Sequence, residues 1–333
     1  MQRKFNKIIA IGGIPNPIGG VTTFISRLAA NNMVDEVIDL YPSESKFIPK
    51  SFHGNLIFVS GIINLYIFLL FNIKKHEGCL LHFNFSRERS IIPLLLIPKF
   101  HSKIGLMLHH GDLKVPKYSL FHRLALSRID IIFCMNKSQD EFYKRLGVSD
   151  KKIYRSNSYI SPTIDFNSIE LKNEIDEFFV DNKTFICSGY PTGIYRHDWC
   201  INFVKQNPVY KLAIFLYGDN VDSTWLDEIT SGFSNIKIFK NTDQNSFNYA
   251  LKKCLAYLRP TKSDSFGIAA ADAIEFKKPS IASNVCERHP GVIIFDGNNY
   301  ESFEKTIVAL LSGENVNRAG KGIYSAFKYP EHQ

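Results

Sequence analysis

Two aspartates, Asp264 and Asp272, stand eight residues apart in the run Leu258-Arg259-Pro260-Thr261-Lys262-Ser263-Asp264-Ser265-Phe266-Gly267-Ile268-Ala269-Ala270-Ala271-Asp272-Ala273-Ile274. An apolar stretch ends at Pro260, a short polar loop follows, and helical spacing runs to about Lys277 before Pro279 restarts a strand. Two turns of helix measure about 12 Å, so these carboxylates neither share one proton nor hold one metal; they suit the two ends of an extended ligand. The alanines between them keep that face low enough for a ligand to approach. Near the start of the chain, Gly12-Gly13-Ile14-Pro15-Asn16-Pro17-Ile18-Gly19-Gly20-Val21 leads from an apolar strand into a helix whose Val21, Phe24, Ile25 and Leu28 share a face. Free amides at that helix start, with no side chains on Gly19 and Gly20, suit a phosphate, although a plain β-α turn has the same composition. The loop is neither a dinucleotide fingerprint nor a P-loop. His82 and the run His109-His110-Gly111-Asp112 fall at strand ends. Adjacent strand residues point to opposite faces, so a metal shared by His109 and His110 is not expected, and His82 and His122 read more simply as structural histidines.

These residues need elements to hold them. Short apolar runs rich in β-branched and aromatic residues recur with helix-length segments between them, the pattern of β-α-β units around a parallel sheet. Seven fall in the first half: 7–13, 34–42, 56–61, 79–84, 103–111, 129–136 and 152–157. Six follow at 184–189, 211–219, 236–240, 254–260, 279–283 and 291–295. The stretch 161–183 between the two series turns polar and acidic, which places a boundary near 165. The expected architecture is therefore α/β, with two tandem Rossmann-like domains, 1–165 and 166–333, facing across a deep cleft.

Around the second-domain run the chain resembles the family 4 retaining glycosyltransferases, which use nucleotide-sugar donors and have the two-domain GT-B fold. Their donor motif is Glu-x7-Glu within a Pro-Ser/Thr…Phe-Gly…Glu-Ala context; here Pro260-Thr261, Asp264-Ser265-Phe266-Gly267 and Asp272-Ala273 stand in the same order, followed by Lys278-Pro279-Ser280-Ile281-Ala282-Ser283. The Gly19-Gly20-Val21 loop and the strand-end histidines match the family's first domain. The resemblance implies that Asp272 holds the ribose hydroxyls, Asp264 a hydroxyl of the transferred sugar, and Arg196 with Lys262 the diphosphate. Amides near Phe266-Gly267-Ile268 and at Gly19-Gly20 would support the phosphates and sugar, and His109 or His110 would orient sugar or acceptor. Both acidic positions are shortened to Asp, and Tyr190 stands where the family has a diphosphate-binding Arg. Tyr217-Gly218-Asp219 matches the strand end beside the nucleotide base and is also an ordinary turn. No catalytic base is implied, because the departing diphosphate is often held to take the acceptor proton in this family. No cofactor and no metal are expected.

Charge points to the acceptor side. Residues 1–165 carry 22 Lys and Arg against 12 Asp and Glu, net +10, whereas 166–333 carry 18 against 20, net −2. The basic half fits an anionic partner such as a lipid surface or a pyrophosphate-linked acceptor, and the resemblance makes that partner a glycan or lipid-linked glycan of bacterial surface polysaccharide, such as O-antigen, lipopolysaccharide or capsule. Nucleic acid is not expected, since no RNA-binding sheet motif, helix-turn-helix or zinc-finger spacing is present. The six cysteines are scattered without metal-ligand spacing and read as reduced core thiols. The basic start runs into an apolar stretch too short for a signal peptide, so the expected place is the cytoplasm, with peripheral contact at the inner membrane face. Gly54–Ile73 has no charge, but Ser60-Gly61 divides it into a strand and a buried helix; the other reading is a helix ahead of Lys74-Lys75 lying on a membrane surface. A non-catalytic nucleotide-sugar or membrane-surface binding protein of the same fold is the alternative, motivated by the two Asp replacements and Tyr190. A nicotinamide-dependent enzyme would lack its fingerprint loop.

Overall fold

The computed structural model describes residues 5–16, 18–41, 46–72, 77–99, 101–111, 113–114, 119–162, 165, 168–218, 222–320, 322 and 325–331. Lys74, Lys75, Asp112 and Asp219, singled out above, lie outside them. The chain divides into two compact units, Met1–Thr163 with Ile323–Gln333, and Ile164–Gly322.

In the first unit β1 (Lys7–Gly12), β2 (Glu36–Asp39), β3 (Asn55–Phe58), β4 (Cys79–Phe85), β5 (Lys103–Leu108), β6 (Ile131–Cys134) and β7 (Ile153–Arg155) form one parallel sheet in the order β3-β2-β1-β4-β5-β6-β7. All seven expected strands are present. Strands such as β1 and β4 read as near-continuous apolar runs because both faces are covered. On one face Ile9, Ile38, Leu81 and Leu106 pack beneath α2 (Gly61–Phe71), a short 3-10 helix (Glu88–Leu95), α3 (Leu120–Arg128) and α4 (Lys137–Arg145). On the other, Ile8, Ala10, Val37 and Met107 pack beneath α1 (Gly20–Ala30) and the end of the chain. Ser60 is the N-cap of α2 and Gly61 takes φ +78°, so the uncharged run breaks into β3 and α2 as expected, but α2 is not the buried helix expected: only Leu65 and Leu69 are buried, because one sheet face covers just one side of it. No described helix is long and apolar enough to cross a membrane.

The second unit repeats the plan. α5 (Lys172–Phe178) leads into β8 (Thr184–Gly189), α6 (His197–Gln206), β9 (Lys211–Leu216), α7 (Thr224–Thr230), β10 (Ile236–Lys240), α8 (Gln244–Lys253), β11 (Ala256–Arg259), α9 (Ile268–Glu275), β12 (Ser280–Ser283), β13 (Ile293–Phe295) and α10 (Tyr300–Leu311). The parallel sheet runs β10-β9-β8-β11-β12-β13. Asp243 caps α8 through the Ser246 amide and Asn299 caps α10 through the Glu301 amide, each satisfying donors that a helix start leaves open.

The expected division is corrected at the end of the chain: 323–333 belong to the first unit rather than the second. Asn157 donates to the Ser325 carbonyl at 2.8 Å and Phe327 to the Tyr159 carbonyl at 3.1 Å. Phe327 is buried against Phe24 and Phe133. An irregular segment held by two backbone bonds and an aromatic anchor has no periodicity to betray it in sequence. None of the six cysteines is in a disulfide, and all but Cys286 are buried.

Candidate functional site

The order β10-β9-β8-β11-β12-β13 reverses direction of travel between β8 and β11, the point where loops at the carboxyl ends of the strands part and leave a crevice. Two loops leave from it, 190–196 after β8 and 260–267 after β11. The Lys262 amide donates to the Ile194 carbonyl at 2.8 Å and ties them together. Tyr195 packs its ring where a side chain on Gly189 would otherwise stand, and the Arg259 guanidinium lies 5.6 Å from the centre of that ring.

Asp264 is the hub. Arg259 Nε donates to its Oδ2 at 2.5 Å and Arg288 Nη1 to the same atom at 2.6 Å, while the Ser265 amide donates to Oδ1 at 2.9 Å. Burial alone would raise its pKa, but the two guanidinium charges outweigh it and hold the carboxyl below the usual carboxylate range. Arg288 is fully buried and also donates to the carbonyls of Ser283 and Phe266, each at 3.1 Å. Gly267 follows at φ +83°, and a Cβ there would overlap Arg288 Nη1, so close approach and conformation both require glycine. Asp264, expected to meet a sugar hydroxyl, thus gathers two arginines beside the start of α9. Two cations on one carboxylate leave a net positive charge beside the open amides of that helix start, an arrangement that suits an anion.

The other expected donor residues divide. Asp272 is 1% exposed, on the inward side of α9, near enough to Tyr217 at the end of β9 that its charge adds to burial in raising that phenol's pKa. Phe266 is buried and Ile268 half-buried at the turn into α9. Lys262 is exposed and its ammonium has no ion pair among the described residues. Arg196 is engaged elsewhere: it donates to the Gly297 carbonyl, and its guanidinium stacks 4.3 Å from the Trp199 ring centre. Sequence reasoning missed Arg259 and Arg288. Arg259 stood in the motif, at the end of an apolar run; Arg288 lies 24 residues past Asp264 with no pattern linking them.

In the first unit the matching reversal falls between β1 and β4. Gly12 ends β1, and a Cβ there would come to 3.1 Å from the Asn84 carbonyl. The Gly19 amide, expected to be free for a phosphate, instead donates to Thr22 Oγ1 at 2.9 Å because that hydroxyl lies one turn into the helix, while Gly20 has open space where a side chain would stand. Asn84 Nδ2 donates to the His82 carbonyl at 3.0 Å, which turns its Oδ1 toward His109 Nε2 at 3.1 Å. A carboxamide oxygen only accepts, so His109 Nε2 carries the proton and Nδ1 is an acceptor. Burial lowers the His109 pKa to about 3, which keeps the ring neutral near pH 7. His110 is exposed, and the buried Gln139 side chain fixes its backbone by donating to its carbonyl at 2.9 Å. His82 is structural: its Nδ1 pairs with Tyr329 Oη at 2.8 Å and its ring stacks on Phe327. Asp39, at the end of β2 where a dinucleotide fold would present an acid to ribose, is filled by Lys46 at 2.9 Å, the Ile14 amide at 3.2 Å and the Tyr41 amide at 2.8 Å.

A pH dependence follows from these histidines. Burial lowers His82, and then the neighbouring His109 adds to it, also to about 3, against an ordinary value of 6.5. Between pH 6.5 and 3 the unfolded chain binds protons at both rings that the folded chain does not, so stability rises with pH across this window. Urea unfolding from pH 4 to 7 is expected to gain as much as ~2.7 kcal/mol per pH unit from the pair, and a His82→Gln variant to lose about half of that slope. An unchanged slope would mean the ring is not buried in neutral form.

Among the described residues no group of three or more His, Cys, Asp or Glu is placed to hold a metal ion. No family model matches the chain. An uncharacterized glycosyltransferase of Methanocaldococcus jannaschii is 23% identical over 300 residues, covering 81% of this chain and 74% of the relative. Anabaena HepE, solved with UDP and glucose, superposes with a TM-score of 0.69 at 11% identity over 92% of this chain and 90% of its own. The fold is GT-B. A glycosyltransferase from Rickettsia africae (TM-score 0.69, 13% identity, 92% and 89% covered) and sucrose-phosphate synthase from Thermosynechococcus elongatus (0.64, 14%, 92% and 90%) are similar in the same way. Within this GT-B chain the Arg259–Asp264–Arg288 cluster and Asp272 occupy the carboxyl edge of the second sheet, and His109 with the glycine loop that of the first.

Proposed function

We propose that the chain is a retaining glycosyltransferase that moves a hexose or related sugar from a nucleoside-diphosphate sugar to a hydroxyl of a lipid-linked glycan, in assembly of a bacterial surface polysaccharide. The observation that carries this reading is the cationic cluster at the start of α9: one carboxylate, two guanidinium groups and the helix amides, with Lys262 beside them. A GT-B fold similar to proteins solved with UDP and UDP-glucose supports a nucleotide-sugar donor. Lys262, exposed beside the cluster, takes the diphosphate in this reading together with Arg259, the more accessible of the two cluster arginines. The resemblance gives the ribose to Asp272, which requires its buried, inward-turned carboxylate to swing toward the nucleotide, and His109, neutral with Nδ1 open as an acceptor, orients a hydroxyl. Rate enhancement then rests on holding donor and acceptor together and on cations that stabilise the departing diphosphate. The basic first half supports an acceptor carrying a lipid diphosphate.

A thermal-shift panel of UDP, GDP, ADP and CMP tests the donor site. A ligand at a hundred times its Kd adds about 2.7 kcal/mol to the folded state, so one nucleoside diphosphate is expected to raise Tm by several degrees and to lose that effect in Asp272→Asn. Release of nucleoside diphosphate from the matching sugar nucleotide, with membrane extract as acceptor source, tests turnover. Tyr190 and the full engagement of Asp264 favour a second reading, a non-catalytic nucleotide-sugar binding protein. It prevails if the nucleotide stabilises the chain and no sugar nucleotide is consumed.

A further inference from the structure

Two helices of the layer over one face of the first sheet, α2 and α3, are apolar on their outer sides. On α2, Leu65 and Leu69 are buried against the sheet, and at 100° per residue Ile63, Ile67 and Phe71 point the opposite way. Ile63 is 73% and Phe71 86% exposed. On α3, Ala125 and Leu126 face the same sheet, and Leu120, 63% exposed, turns outward with Leu124. An ordinary amphipathic helix puts charge there, and α4 in the same layer does so with Lys137, Glu141, Lys144 and Arg145. The apolar outer face is therefore particular to α2 and α3. Leu96, 73% exposed, follows the 3-10 helix that packs against α3 and extends it.

Charge distinguishes what covers this face. Residues 54–72, 87–97 and 119–129 contain four arginines, Arg87, Arg89, Arg123 and Arg128, and one acid, Glu88; Arg128 turns inward onto the Ile97 carbonyl at 2.7 Å, and the other three are exposed. A second copy seated on the face would set one arginine rim against another. An anionic lipid surface offers acyl chains to the isoleucines and phenylalanine and headgroup charge to the arginines.

We infer that α2, the 3-10 helix and α3 form a surface that docks on an anionic lipid bilayer. Docking here is independent of sugar transfer and needs no donor. The aliphatic and aromatic side chains enter the interface, and the arginines around them supply attraction that salt weakens.

Flotation of the full chain with phosphatidylglycerol-containing vesicles, against pure phosphatidylcholine vesicles, reads this directly. The wild type is expected to float with the anionic vesicles and to lose most of that binding at high salt. I63S/I67S/F71S on α2, and separately L120S/L124S on α3, are each expected to lower the bound fraction about tenfold or more. These side chains point into solvent, so Tm and any nucleotide-induced shift should stay as in the wild type, which keeps this test separate from the donor site. No flotation of the wild type overturns the inference, as does flotation that survives both variants. A wild-type dimer that either variant dissolves, without vesicle binding, assigns the face to a second copy and overturns it too.

Discussion

Asp264→Ala is expected to cost the second unit about 3–5 kcal/mol, because it leaves a fully buried Arg288 and a largely buried Arg259 without their shared counter-ion. Arg288 keeps its bonds to the Ser283 and Phe266 carbonyls, but neither neutralises its charge. The loss corresponds to a Tm lowered by roughly 10 °C in calorimetry. Asp264→Asn keeps the shape and removes the charge, so it should destabilise nearly as much. If both variants melt within a degree or two of the wild type, the two guanidinium groups are not held by this carboxylate. Loss of activity in an Asp264 variant must accordingly be read against its folded fraction, since the residue organises the site before it meets any ligand.

Arg259→Leu separates binding from folding. Asp264 retains Arg288 and remains neutralised, so the structural penalty is expected to be well below that of Asp264→Ala. The local net charge falls by one, and a charge-assisted hydrogen bond contributes about 1.5–3 kcal/mol, so affinity for the nucleoside diphosphate is expected to drop about ten- to a hundredfold. Titration calorimetry with the nucleotide that stabilises the wild type measures this. Arg196→Leu serves as the contrast: it should leave nucleotide affinity nearly unchanged and act on stability, through the lost contacts with Gly297 and Trp199. The reverse pattern would return the diphosphate to Arg196.

The Arg259–Asp264–Arg288 cluster also marks where reading from sequence ran out. The motif from Pro260 to Ala273 was legible because a strand end, a turn and a helix start are local events, each with its own residue types. The partner of Asp264 was not. Arg288 reaches it from the loop between β12 and β13, and nothing in a linear pattern says which of several polar side chains in that loop turns inward. Arg196 shows the converse. Its place near the first loop of the second unit suggested a ligand contact, but its backbone adopts φ +50° at the start of α6, and its side chain goes to Trp199, one turn along, and to Gly297. A shift of one residue at a helix start turns a side chain by about 100°, which sequence spacing does not resolve.

By itself the sequence determined the thirteen strands, the helices between them and the division into two α/β units, because burial on both faces of a parallel sheet forces apolar runs whose length and spacing can be counted. It also determined which loops carry glycine and acid at strand ends. Only the tertiary structure decided the rest: that the chain end returns to the first unit, that Asn84 orients His109, that Asp264 is shared by two arginines, and that α2 and α3 turn apolar side chains away from their sheet. Each of these depends on a side chain's direction or on a partner far along the chain. Such contacts are set by packing in three dimensions, and no local propensity encodes them.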